Sequence, residues 1–168
     1  MIKIIQRLMG VTILMFSVAG YAEQKPTIDE IQKMAESGDA VAQAKYGSIY
    51  YLGDQYKPLP NARFKTRKQY EAISYLLEGV GKDVNKATEW MLKAAEQGYV
   101  DAEVFMAAMY DRGLGVPQSG SEATKWYKKA GEHGNEMATA VLGPYASSRL
   151  KASKDVPEEY ALKILSTK

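Results

Sequence analysis

Histidine and cysteine, the side chains that most readily act as base, nucleophile or metal ligand near neutral pH, are almost lacking in this chain, and the placing of the rest argues against catalysis. There is one histidine, His133, and no cysteine. Zinc sites of the Cys/His type and Cys–His nucleophile pairs are therefore excluded, as is any disulfide. A Ser-His-Asp arrangement would have to use His133, yet no Gly-x-Ser-x-Gly turn presents a serine to it. His133 instead ends a helical stretch, where the helix dipole favours a cation and a surface role accounts for it. Ser119-Gly120-Ser121 reads as turn residues and a helix N-cap. Gly113-x-Gly115 follows no strand, so it is loop geometry and not a phosphate cradle. Carboxylates are plentiful, and Glu158 and Glu159 fall in the first turn of a helix, where acids are favoured. A glycosidase needs two carboxylates facing across a cleft, which spacing along the chain does not establish. These residues imply no catalytic site, no cofactor and no metal.

Binding is the chemistry the composition supports. Twelve of the 168 residues are tyrosine, and Tyr, Phe and Arg are frequent anchors of protein interfaces. Which of them are presented depends on the elements that carry them, and those elements repeat. Trp90-Met91-Leu92-Lys93-Ala94-Ala95-Glu96-Gln97-Gly98 aligns with Trp126-Tyr127-Lys128-Lys129-Ala130-Gly131-Glu132-His133-Gly134 at an offset of 36. Ala87, Thr88, Ala102 and Met106 move onto Ala123, Thr124, Ala138 and Leu142 by the same step. An earlier copy lies 60 residues upstream of the middle one, pairing Gly38, Ala42, Tyr50 and Gly53 with Gly98, Ala102, Tyr110 and Gly113. The extra 24 residues mark an insertion after Gly53.

Within each copy the spacing is helical. Ala42, Tyr46 and Tyr50 share one face, as do Ala102, Met106 and Tyr110, and Ala87, Trp90 and Ala94 share another. A large side chain among alanines suits two helices packed closely. The pattern predicts a leading helix at 28–37, opened by a capping box from Thr27 to Glu30. First helices of each pair follow at 40–52, 101–112 and 137–149, and second helices at 84–97 and 121–132. A last helix begins with Pro157 at its first turn, with Tyr160, Ile164 and Leu165 available to cover the end of the stack. The expected fold is all-α: a superhelical α/α solenoid without disulfides.

One step off the packing stripe, positions on the first helices form columns: Lys45 with Phe105, Tyr51 with Asp111, and Leu52 with Arg112. Such columns line the concave face of a solenoid. Lys45, Tyr51, Phe105, Asp111 and Arg112 are accordingly the candidate partner-binding residues; the alternative is that Tyr51 and Phe105 fill space between repeats. The insertion, 54–83, is the least regular part, broken by Pro58 and Pro60, with a helix expected from Arg67 to Glu78. It carries a basic run (Lys57, Arg63, Lys65, Arg67 and Lys68) free of acids from Gln55 to Tyr70. That run reads either as a solvated surface or as a contact patch for an acidic partner.

The first 22 residues have the layout of a secretory signal: Lys3 and Arg7, an apolar stretch from Leu8 to Ala19, and small residues at Gly20 and Ala22. The apolar stretch is shorter than the roughly 20 residues a spanning helix needs. Cleavage after Ala22 is expected, with a periplasmic or secreted product and no stable membrane insertion. Two of the 22 bases and none of the 20 acids fall in that segment, so residues 23–168 carry as many bases as acids. A nucleic-acid binder normally shows a strong basic excess, and that class is set aside.

The segments Ala95-Glu96-Gln97-Gly98, Ala42-Gln43-Ala44 and Lys86-Ala87-Thr88-Glu89-Trp90, with the Tyr110–Val116 loop ending Gly-Leu-Gly-Val, resemble the Sel-one-like repeat, a relative of the tetratricopeptide repeat. The resemblance covers about residues 27–150. It divides the chain into a signal at 1–22 and a repeat domain at 23–168, with repeats at about 27–83, 84–120 and 121–168, the last ending in an atypical cap. It implies a concave face that binds another protein, with roles as adaptors, scaffolds and, in exported bacterial members, envelope or host-contact proteins. A disulfide-rich branch is linked to β-lactam hydrolysis, and a chain without cysteine lies outside it. Small exported members are also similar to immunity proteins that neutralise lipases delivered by type VI secretion. The expectation is a non-catalytic binding protein, most concretely an immunity or inhibitor protein. An envelope scaffold is the alternative, and a cell-wall or lipid hydrolase a weaker one.

Overall fold

The computed structural model describes residues 25–58, 64–143 and 156–167, and among these every regular element is a helix. They are α1 (Ile28–Glu36), α2 (Ala40–Leu52), α3 (Phe64–Leu77), α4 (Val84–Glu96), α5 (Val100–Arg112), α6 (Gly120–Glu132), α7 (Glu136–Val141) and α8 (Val156–Leu165). The signal-like segment 1–22 lies outside the described residues, as does Arg63. No helix among the described residues is long and apolar enough to cross a membrane.

The helix starts follow the sequence closely, because short polar side chains cap them. Thr27 and Glu30 form the reciprocal capping box of α1. Asp39, Asp83, Ser119 and Asn135 each accept a backbone N–H in the first turn of α2, α4, α6 and α7. One expectation is corrected. The helix expected at 137–149 breaks after Val141, with Leu142 as the C-cap of α7, and positions 144–149 of that expectation lie outside the described residues. Gly143 and Pro144 follow in the sequence, and a residue before proline is disfavoured in the α region.

Packing proceeds from neighbour to neighbour: α1 on α2, α2 on α4, α4 on α5, α5 on α6 and α6 on α7. This is a solenoid whose first helices are α2, α5 and α7 and whose second helices are α4 and α6. The insertion leaves the pairing of α2 with α4 intact, and α3 stands aside with only a small contact on α2. The two paired helices approach closely because Gly47 faces α4: a Cβ there would lie 3.0 Å from both the Ala87 carbonyl oxygen and Met91 Cγ. Aromatic rings pack beside this contact, Tyr46 meeting Trp90 edge-on at 5.3 Å and Tyr50 at 5.1 Å.

The loop between α5 and α6 is held by Gly115, whose φ of +68° lies in the left-handed region. A Cβ there would come within 2.6 Å of Thr88 Oγ1 and 2.8 Å of the Val84 carbonyl oxygen. Replacing Gly115 with alanine should therefore cost about 2 kcal/mol, from backbone strain and a clash against α4. Thermal unfolding of the variant checks this; an unchanged midpoint would show that the loop does not bear on the helix pair.

Candidate functional site

The face made by the first helices α2 and α5 is where the candidate partner-binding residues fall, and the structure finds it occupied. α8 lies across α2 and α5 and touches α3. This corrects the expectation that the last helix covers the end of the stack. The physical reason is area: α8 buries Tyr160, Leu162, Ile164 and Leu165 together with Ala161, more apolar surface than the six-residue α7 can cover, while a groove between two full-length helices can.

Two candidate residues, Phe105 and Tyr51, lie inside, which is the space-filling alternative of the sequence reading. Phe105 is fully buried and Tyr51 nearly so, their rings edge-to-face at 5.0 Å. Both belong to the hydrophobic core and not to a presented surface. Lys45 is half-buried, and its Nζ donates to the carbonyl of Thr167, just past α8, at 2.8 Å. Asp111 and Arg112 are half-buried at the end of α5, where the Asp111 carbonyl accepts from Gln118 at 2.7 Å. Of the basic run, Lys57 is exposed in the loop after α2, Lys65 belongs to the start of α3, and Arg67 and Lys68 are exposed on that helix.

A second cluster, missed as a unit by the sequence reading, joins successive repeats. Gln43 is buried and donates to the Ala35 carbonyl at 3.2 Å while accepting from Gln97 at 2.7 Å. One repeat later the same positions hold Glu103 and His133, with His133 Nδ1 2.9 Å from Glu103 Oε2. Glu103 is fully buried. The donor to the helix-end carbonyl of Ala95 is here Lys129 Nζ, at 2.9 Å. The same ammonium lies 3.3 Å from Glu103 Oε1, a charge contact off the hydrogen-bonding direction, which leaves that oxygen without a donor. His133 does cap the end of α6 as expected, but its carboxylate partner comes from the neighbouring repeat. The alignments of Gln43 with Glu103 and of Gln97 with His133 were visible in the sequence; that the two columns touch was not.

The first joint pairs Gln43 with Gln97 and the Ala35 carbonyl, while in the second one Glu103 oxygen has only the charge contact with Lys129. Among the described residues no group of three or more His, Cys, Asp or Glu side chains is arranged to hold a metal ion. Several tyrosines are pushed up in pKa, chiefly by burial: Tyr127 to about 12, with Tyr99 and Tyr160 in the same direction. Such tyrosines stay protonated and serve as packing groups with a polar tip.

Known proteins agree with this architecture. The chain is similar to the chitin synthase regulator SKT5 of Malassezia restricta, 33% identical over 76 residues, which is 45% of this chain and 5% of the relative. It is likewise similar to the chitin synthase regulator SKT5 of Saccharomyces cerevisiae, 38% identical over 60 residues, or 36% of this chain and 8% of the relative. The chain thus spans less than a tenth of the length of these curated relatives. The crystal structure of a Sel1 repeat protein from Oxalobacter formigenes is 28% identical with a TM-score of 0.52, covering 83% of this chain and 47% of that one. The Sel1 repeat pattern itself matches residues 40–63, 72–99 and 100–135, more than half of the chain. This protein belongs to the Sel1 repeat family, whose helical repeats mediate protein–protein interaction.

Proposed function

We propose that this chain is an exported, non-catalytic binding protein, most concretely an immunity or inhibitor protein that neutralises a secreted effector by forming a complex with it. The observation that carries this reading is the face of α2 and α5, which is apolar enough that a helix packs across it. The family is generally non-catalytic, and the one histidine is engaged with a buried carboxylate. The signal-like first 22 residues support a periplasmic or secreted site of action. The exposed basic positions Arg67 and Lys68 add a surface for an acidic partner: they lie near the start of α3, which has no acid in its first turn, so acidic groups brought there would relieve repulsion from the dipole.

The test is protection. If a lipase gene neighbours that of this chain, cells directing that lipase to the periplasm should survive when the full chain is co-produced, and the two proteins should co-purify in fixed stoichiometry; a neighbourhood without an effector gene counts against the immunity reading. Protection should disappear when residues 1–22 are removed, because chain and effector then occupy different compartments. Absence of both protection and complex would overturn the immunity reading; several weak interactors without protection would favour an envelope scaffold. Turnover of lipid or cell-wall substrate by the purified chain would favour a hydrolase.

A further inference from the structure

The polar links of α8 run in order across the repeats. Asn135, at the start of α7, donates to the Tyr160 hydroxyl at 3.2 Å. Asp101, in the first turn of α5, pairs with Lys163 at 2.6 Å. Gln69 of α3 donates to Ser166 at 3.2 Å, and Lys45 of α2 donates to the Thr167 carbonyl at 2.8 Å. The helix therefore crosses the concave face from the last repeat to the first, with its C-terminal end toward α2. Three of the four links involve side chains of α2, α3 and α5 and the fourth that of Asn135, and no backbone hydrogen bond between α8 and another element occurs among the described residues.

Those links amount to a recognition code for a helix. The groove supplies an apolar floor, a carboxylate at Asp101 for a base in the last turn, and a cation at Lys45 for the helix C-terminus, where the dipole favours positive charge. The code does not depend on the occupant being covalently attached. α8 has ten residues, fewer than the roughly 12–15 at which an isolated helix becomes even marginal in water. It is helical because it is docked, so docking and helix formation happen together. A partner helix that is already folded has no such ordering to undergo, which favours exchange.

We infer that α8 is a resident ligand of the groove formed by α2, α3 and α5, and that the groove's external ligand is a partner protein's amphipathic helix bearing a base in its last turn, which takes the place of α8. This deepens the reading above and rests on it. Attachment gives α8 a high effective concentration, so a competing helix must bind the free groove tightly or extend its contacts beyond the groove. The groove is then silent to weak helices and selective for one partner.

The absence of cysteine makes the test direct. Gln69→Cys with Ser166→Cys in the full chain, a pair in contact at 3.2 Å that leaves Asp101 and Lys45 in place, is joined by a short bis-maleimide, which pins α8; the same variant left unjoined is the reference. The probe is a fluorescent peptide with the sequence of residues 154–168. The unjoined variant should bind it, and joining should weaken binding at least tenfold; a peptide with Ile164→Asp should bind neither. Equal binding to both forms, or no binding to the unjoined form, would overturn the inference. So would exchange of α8 between copies as the sole event, seen as a dimer in sedimentation that joining prevents. If the joined protein still forms its effector complex unchanged, the groove assignment fails while the binding function stands. If neither form makes a complex, it is the binding function that fails.

Discussion

Phe105→Ala should lower the stability of the protein by about 3–5 kcal/mol, read as a shift of the urea midpoint followed by far-ultraviolet circular dichroism. Phe105 is 0% exposed and stacks edge-on with Tyr51. Truncation removes a large buried side chain and leaves a cavity beneath the face that α8 covers, with close-packed helices that relax only in part. Were the residue a presented interface anchor, the substitution would leave stability within about 0.5 kcal/mol and weaken partner binding alone. The two outcomes are widely separated. Combining it with Tyr51→Leu should reveal a coupling of about 0.5–1.5 kcal/mol, as for other edge-to-face pairs. Strict additivity would show that the ring contact itself contributes nothing.

The second large effect belongs to the polar joint. Lys129→Ala should cost about 3 kcal/mol, because it removes both the charge beside the buried Glu103 carboxylate and the donor to the Ala95 carbonyl. His133 keeps its contact with the other carboxylate oxygen, which holds the loss at the low end for a broken buried pair. Glu103→Gln alone should change stability by less than about 1 kcal/mol. A glutamine there can do what Gln43 does one repeat earlier, donating to the helix-end carbonyl and accepting from the next second helix. In that background Lys129→Ala should lose most of its effect. The double-mutant cycle by chemical denaturation decides it: equal losses in both backgrounds would mean that Lys129 acts by packing its stem and not by serving the carboxylate.

Much of the fold was legible because its determinants are local. Ala42, Tyr46 and Tyr50 share a face by the geometry of one helix, and Asp39, Asp83, Ser119 and Asn135 cap helices through bonds three residues long. Each needs no knowledge of the rest of the chain. The early end of α7 was legible in principle, since Gly143-Pro144 is a local signal, but the repeat register argued for continuation. The interaction face was only half legible. The columns of Lys45 with Phe105 and Tyr51 with Asp111 do lie on first helices, but a column says nothing about what stands in front of it.

What the sequence determined by itself is therefore the helical register, the repeat that makes α2, α5 and α7 equivalent, the helix caps, and the lack of groups for Cys/His chemistry. The tertiary structure decided where α8 goes, and with it whether Phe105 and Tyr51 are core or surface. It also decided that Gln43–Gln97 and Glu103–His133 are the same joint, neutral in one repeat and charged in the next. The physical reason is range. Periodicity reports that a helix has an apolar face, and the strength of burial depends on area and not on partner. Which of several apolar surfaces receives that face is settled by contacts as far apart as Lys45 and Thr167, and no pattern confined to one helix contains them.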